Sequence, residues 1–165
     1  MMETLIASFI TFQVSVVAWF DFKTKKISNI WPVTNFTLYL FLPFIFEDLY
    51  GYEFRTWFVP IAILAVGFAL FKLDIMGAGD SKYLFSLFLL IPEPLHELLL
   101  IKLCALTIMV GGVLLSYRVV SQWERFKVVV FARAGSLKNF LGGKFTYAPV
   151  ILAAWLWFLI EAGLR

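Results

Sequence analysis

Residues 76–91 read Met76-Gly77-Ala78-Gly79-Asp80-Ser81-Lys82, followed by the apolar run Tyr83–Ile91. An aspartate stands behind two glycines at the head of a run of nine residues. At about 1.5 Å per residue that run covers about 14 Å, roughly half of a hydrocarbon core about 30 Å thick. A helix this short reaches the far face only if it starts inside the membrane or in a water-filled recess. This places Asp80 at or just below the interface, provided that the chain is built for lipid. The rest of the sequence meets that condition. Of its 165 residues, 62% are hydrophobic and 15% charged, against about 45–50% and about 25% in soluble domains.

Six apolar stretches lie along the chain, near 2–20, 31–46, 56–72, 81–91, 98–120 and 145–161. The expected fold is an all-α polytopic membrane protein with six transmembrane helices, forming one integral-membrane domain over 1–165. The first stretch has no basic head and ends in Trp19-Phe20-Asp21, so it reads as a retained helix rather than a signal peptide. The connecting segments alternate in charge. Lys23, Lys25 and Lys26 follow the first stretch; Lys72 and Lys82 flank the third loop; Arg118, Arg125, Lys127, Arg133, Lys138 and Lys144 fill the fifth. The second loop holds Glu47, Asp48 and Glu53, and the fourth holds Glu93 and Glu97. Basic loops stay cytoplasmic, so both termini are expected outside, with the loops carrying Asp21 and Asp80 in the cytoplasm.

Several function classes drop out. One cysteine, Cys104, and one histidine, His96, exclude an internal disulfide, a cysteine zinc site and a multi-histidine metal site. Cys104 reads as a buried small apolar residue, and His96 as an interfacial loop residue beyond Pro94. A net charge of +3 is too weak to point to nucleic acid. Trp19, Trp31, Tyr50, Tyr52, Trp57 and Tyr147 fall near span ends and read as an aromatic belt. The basic, amphipathic segment Ser121–Lys144 reads as a helix on the anionic leaflet, or alternatively as a substrate-docking surface.

Two carboxylates on one face of a membrane carry chemistry if they meet. Within a few ångströms both cannot ionise, so one keeps a proton while the other is charged. The ionised member can activate a water against a peptide carbonyl, and the protonated member can donate to the carbonyl oxygen. Gly77 and Gly79 allow unusual φ angles and close approach of another backbone. Asp74 lies outside the glycine pattern and reads as a solvated loop residue.

Gly77-Ala78-Gly79-Asp80 resembles the Gly-x-Gly-Asp motif of intramembrane aspartyl proteases. Its continuation through Ser81-Lys82 resembles the Gly-x-Gly-Asp-x-Lys form of type IV prepilin peptidases. Asp21-Phe22-Lys23-Thr24-Lys25-Lys26-Ile27-Ser28-Asn29 resembles that family's other signature, an aspartate after the first helix followed by basic residues and an Ile-x-Asn ending. The two aspartates stand 59 positions apart. The resemblance implies an aspartic endopeptidase of the bacterial inner membrane. It would cut the basic leader from prepilins or pseudopilins beside their hydrophobic N-terminal helix. It implies Asp21 and Asp80 as the catalytic dyad, with Gly77, Gly79, Lys82 and Asn29 in support and no cofactor or metal. Lys82 either orients the Asp80 segment or binds headgroups. Larger family members carry an extra cytoplasmic region, often with paired cysteines, and also methylate the new pilin N-terminus. This chain has no such region before Asp21. It resembles the small members that serve tight-adherence (Flp) pili, without methylation. The alternative readings are an ion-coupled transport component and a non-catalytic scaffold of a secretion or pilus machine.

Overall fold

The computed structural model describes residues 2–72, 76–121, 123 and 146–163. Asp74 and all of 122–145 except Trp123 lie outside the described residues. Among those described, every regular element is helical: α1 (Met2–Thr24), α2 (Ile30–Ile45), α3 (Phe54–Lys72), α4 (Ala78–Leu89), a 3-10 turn (Glu93–Leu95), α5 (His96–Ser121) and α6 (Ala148–Gly163). Each apolar stretch of the sequence yields one helix, because a backbone in an apolar setting has to satisfy its own hydrogen bonds. Thr4–Thr24, Phe54–Lys72 and Glu93–Ser121 are long and apolar enough to cross a membrane; Ile30–Ile45 and Ala148–Gly163 are shorter apolar helices. The outward faces are lined with large apolar side chains, among them Phe12, Phe44, Ile108 and Val120.

Two helix boundaries differ from the sequence reading in a way that matters. α1 continues through Asp21 to Thr24, so Asp21 sits in its last turn and not in the following loop. The helix stops when Lys25 turns left-handed at φ 52, with its N–H donating to the Asp21 carbonyl at 2.8 Å. This is the αL end that glycine usually supplies; a lysine there costs about 1 kcal/mol or more. α4 begins at Ala78 rather than 81, so Asp80 is the third residue of a helix and not part of a turn. Both aspartates are therefore held on helices, which fixes them more firmly than loops do.

α4 is the centre of the bundle. It packs against α2 and α3, and its Leu84, Leu87 and Phe88 share an apolar seam with Leu103 of α5 and Ile151 and Trp155 of α6. Eight of its twelve residues are buried. A helix this largely enclosed needs no span-length apolar surface, which explains how its start can carry the buried Asp80 and Ser81, with Lys82 beside them exposed. Around it, α1 packs on α6 and α6 on α5. Glycine sets the α3–α4 contact: a Cβ at Gly67 would lie 2.7 Å from Ser81 Cβ and 3.3 Å from its Cα.

The end of the bundle away from Asp80 is tied by side chains whose sequence readings change. Tyr50 is buried and donates its hydroxyl to the Leu90 carbonyl at 2.7 Å, so it clamps the α2–α3 connection to the end of α4 instead of lying in a belt. His96 is buried at the start of α5, with Nε2 2.8 Å from the carbonyl oxygens of both Phe88 and Ile91. It closes the C-terminal end of α4, where orphan carbonyls need donors. Cys104 is exposed on α5, not buried.

Two glycine substitutions separate packing from helix propensity. Gly67→Val lowers the thermal midpoint of the detergent-solubilised protein, by the equivalent of about 1–3 kcal/mol. Gly111→Ala, where a Cβ meets nothing within 4 Å, leaves it unchanged or raises it by up to about 1 kcal/mol. Thermal unfolding followed by circular dichroism measures both.

Candidate functional site

Asp21 and Asp80 come together at one end of the bundle. On α1 the buried residues Ile10, Gln13, Val14, Val17, Ala18 and Asp21 recur at helical spacing and form one inward stripe. Asp21 closes that stripe and is 3% exposed. Asp80 enters from the first turn of α4 and is 6% exposed. A buried carboxylate needs hydrogen-bond donors, and each aspartate has backbone partners. The Gly77 N–H donates to Asp80 Oδ2 at 3.0 Å, which is half of a capping box. The Ala148 N–H, at the start of α6, donates to Asp21 Oδ2 at 3.2 Å.

The glycines act here through space, not through unusual dihedrals. Gly77 has an ordinary φ of −73. A Cβ on it would lie 2.8 Å from Asp80 Oδ2 and displace the carboxylate from its donor. A Cβ on Gly79 would lie 3.0 Å from the Ile27 carbonyl oxygen. Gly79 thus lets the first turn of α4 press on the chain just after α1, and the two sequence motifs meet through this contact. Of the remaining residues singled out from sequence, Asn29 is exposed at the start of α2 and makes no side-chain cap bond. Lys82 is exposed on α4.

The electrostatics are those of a coupled pair. Asp80 lies beyond the apolar run of α4. Burial first, and the charge of Asp21 second, push its carboxyl up to about 6, with the Gly77 N–H acting in the opposite direction. Below about pH 6 such a pair holds one shared proton and offers one acidic and one basic oxygen to a water or a carbonyl between them. Among the described residues, no group of three or more His, Cys, Asp and Glu is arranged to hold a metal ion.

No family model, curated protein or solved structure matches this chain. The site therefore has to be read from its own residues.

Those residues include a polar ring that the sequence reading passes over. Gln13 Nε2 donates to Asn35 Oδ1, Asn35 Nδ2 donates to Ser86 Oγ at 3.3 Å, and Ser86 Oγ donates to the Tyr83 carbonyl at 2.9 Å. The Tyr83 hydroxyl points back to Gln13 Oε1 at 3.5 Å, a long contact. All four residues are buried. The ring joins α1, α2 and α4 about two helical turns from Asp21 on α1, roughly 12 Å along the axis. It fixes the rotation of α1 relative to α4, and with it the facing of the two aspartates. In the sequence, Gln13 was one polar interruption of an apolar run; the usable signal was its spacing of eight from Asp21 on one helical face. Tyr147, assigned by sequence to the aromatic belt, is half-buried, and its hydroxyl shares a 2.6 Å hydrogen bond with Thr107 of α5.

The raised carboxyl of Asp80 has a consequence for stability. The unfolded chain releases this proton near pH 4, the native chain only near 6. Stability from this group is therefore complete below about pH 4 and is lost as pH rises through about 6. Asp80→Asn removes the loss: the variant gains on the order of 3 kcal/mol over wild type above neutral pH and nothing near pH 4 or below. Denaturation in detergent as a function of pH measures the difference.

Proposed function

We propose that this protein is a membrane aspartic endopeptidase that removes the leader peptide from type IV prepilin-like precursors, of the tight-adherence or pseudopilin kind. The observation that carries this reading is the pair of buried, electrostatically coupled carboxylates, Asp21 and Asp80. One of them belongs to a Gly-x-Gly-Asp helix start whose glycines sit in close contact with Asp80 itself and with the Ile27 carbonyl. All six helices are read as membrane-embedded, with both termini outside, the dyad at the cytoplasmic face and the protein in a bacterial inner membrane. The alternating loop charges support this orientation. The substrate enters with its hydrophobic helix in the bilayer and its basic leader in the cytoplasm.

The reaction follows from the shared proton. The ionised carboxylate takes a proton from a water held between the two aspartates. The water oxygen attacks the carbonyl carbon at the end of the leader, while the protonated carboxyl donates to the carbonyl oxygen. The tetrahedral intermediate collapses as the amine nitrogen takes a proton from the dyad and the C–N bond breaks. One hydroxyl of the gem-diol returns its proton to the dyad, and the products are a leader carboxylic acid, which ionises in water, and a free pilin N-terminus.

Co-expression with a prepilin, read by the mobility shift of the processed pilin, tests the reading. Wild type trims the precursor, while Asp21→Asn and Asp80→Asn each reduce trimming at least about 100-fold. Normal processing by either variant would falsify the assignment. With the purified enzyme, kcat/KM declines on the alkaline side with an apparent pKa of about 6, because the pair then loses its proton. A profile that stays flat through about pH 6 would be incompatible with a shared proton.

A further inference from the structure

The N-terminal end of α6 is buried against α1, and a buried helix end has orphan N–H groups that must find acceptors. Here they find one side chain. The Ala148 N–H donates to Asp21 Oδ2 at 3.2 Å, and the Tyr147 N–H bonds to the same carboxylate. Pro149 has no N–H to offer, and Val150 N–H turns back to the Tyr147 carbonyl at 2.9 Å. Asp21 thus caps a helix 127 positions away in the chain. The turn is also anchored from the other side, because the Tyr147 hydroxyl is hydrogen-bonded to Thr107 Oγ1 of α5 at 2.6 Å. Ala148 is fully buried, with no exposed surface.

Resting on the peptidase reading above, we propose that the first turn of α6 holds Asp21 as the carboxylate, so that the dyad's proton resides on Asp80. Asp21 is then the base that activates water and Asp80 the acid that protonates the scissile carbonyl. Tyr147 and Thr107 are positioning residues that keep the two N–H donors aimed at Asp21.

Two donors at the positive end of a helix favour the anion, and they act where water is excluded. Asp21 lies at the C-terminal end of its own helix, which disfavours its charge; the α6 turn opposes this. Asp80 has one backbone donor, Gly77. Among the described residues, the titratable groups acting on this cluster are few. Asp80 faces it from α4; Tyr147 stands before α6 and interacts with both Asp80 and Cys104 of α5. On α1 itself, Lys23 lies over the Trp19 ring.

Two measurements test the assignment. The first is infrared spectroscopy of the purified full chain at about pH 5, below the point at which Asp80 ionises. A protonated, buried carboxyl C=O band is expected in wild type, absent in Asp80→Asn and present in Asp21→Asn. Any other pattern overturns the assignment. The second is the pH profile of kcat/KM on a prepilin. Thr107→Val and Tyr147→Phe move the acid limb upward and lower the plateau about 10-fold, and Thr107→Ser, which keeps the hydroxyl, restores both. Acid limbs that stay in place in Thr107→Val and Tyr147→Phe contradict the positioning role. The infrared result needs no cleavage. A chain that leaves prepilin intact defeats the peptidase reading and leaves the proton assignment standing; an active chain with the wrong infrared pattern does the reverse.

Discussion

The structure depends on burying two carboxylates at one end of an apolar helical bundle. In such surroundings a lone carboxylate costs several kcal/mol unless hydrogen bonds or a proton relieve it. Asp21 and Asp80 receive both kinds of relief. The start of α4 supplies a donor to Asp80, and the start of α6 supplies donors to Asp21. Their mutual repulsion is relieved only by keeping a proton in the pair, and that proton is what makes the site chemically useful. On the peptidase reading, the same burial that burdens folding at neutral pH provides an acid and a base side by side below about pH 6.

The position of α4 follows from this constraint. A long, lipid-facing helix could not carry aspartate, serine and lysine in one turn. A short one packed among α2, α3, α5 and α6 can, because protein covers Asp80 and Ser81 while Lys82 stays exposed. Gly67, Gly77 and Gly79 are the points where neighbouring backbones and the carboxylate come too close for a Cβ. The polar ring of Gln13, Asn35 and Ser86 with Tyr83 adds direction to packing that is otherwise apolar. Interhelical hydrogen bonds of this kind contribute only about 0.6–2 kcal/mol each in membranes, so their main effect is on which faces meet.

Much of this was legible in the sequence, and the exceptions have a common cause. Asp80 stood out because glycines and a short apolar run are local signals, and Asp21 because a charge at a span end is local too. The apolar runs marked the helices to within a few residues. The errors at Asp21 and Asp80, read as loop residues, arose because polarity was taken to end a helix, whereas burial beside other helices let α1 and α4 run on through their polar turns. The roles of Gln13, Asn35, Tyr50 and Tyr147 depend on partners 22 or more positions away, and no periodicity in one chain specifies those. Tyr50 and Tyr147 look like belt residues because a tyrosine at a span end has the same spacing whether its hydroxyl meets headgroups or another helix.

The central claim is that Asp21 and Asp80 work as one unit. The most direct test compares prepilin cleavage by purified Asp21→Asn, Asp80→Asn and the double variant. Residues that share one proton give non-additive losses. The account predicts that each single variant is as inactive as the double. A single variant with near-normal turnover, or a double variant whose loss is the product of two partial ones, would contradict it.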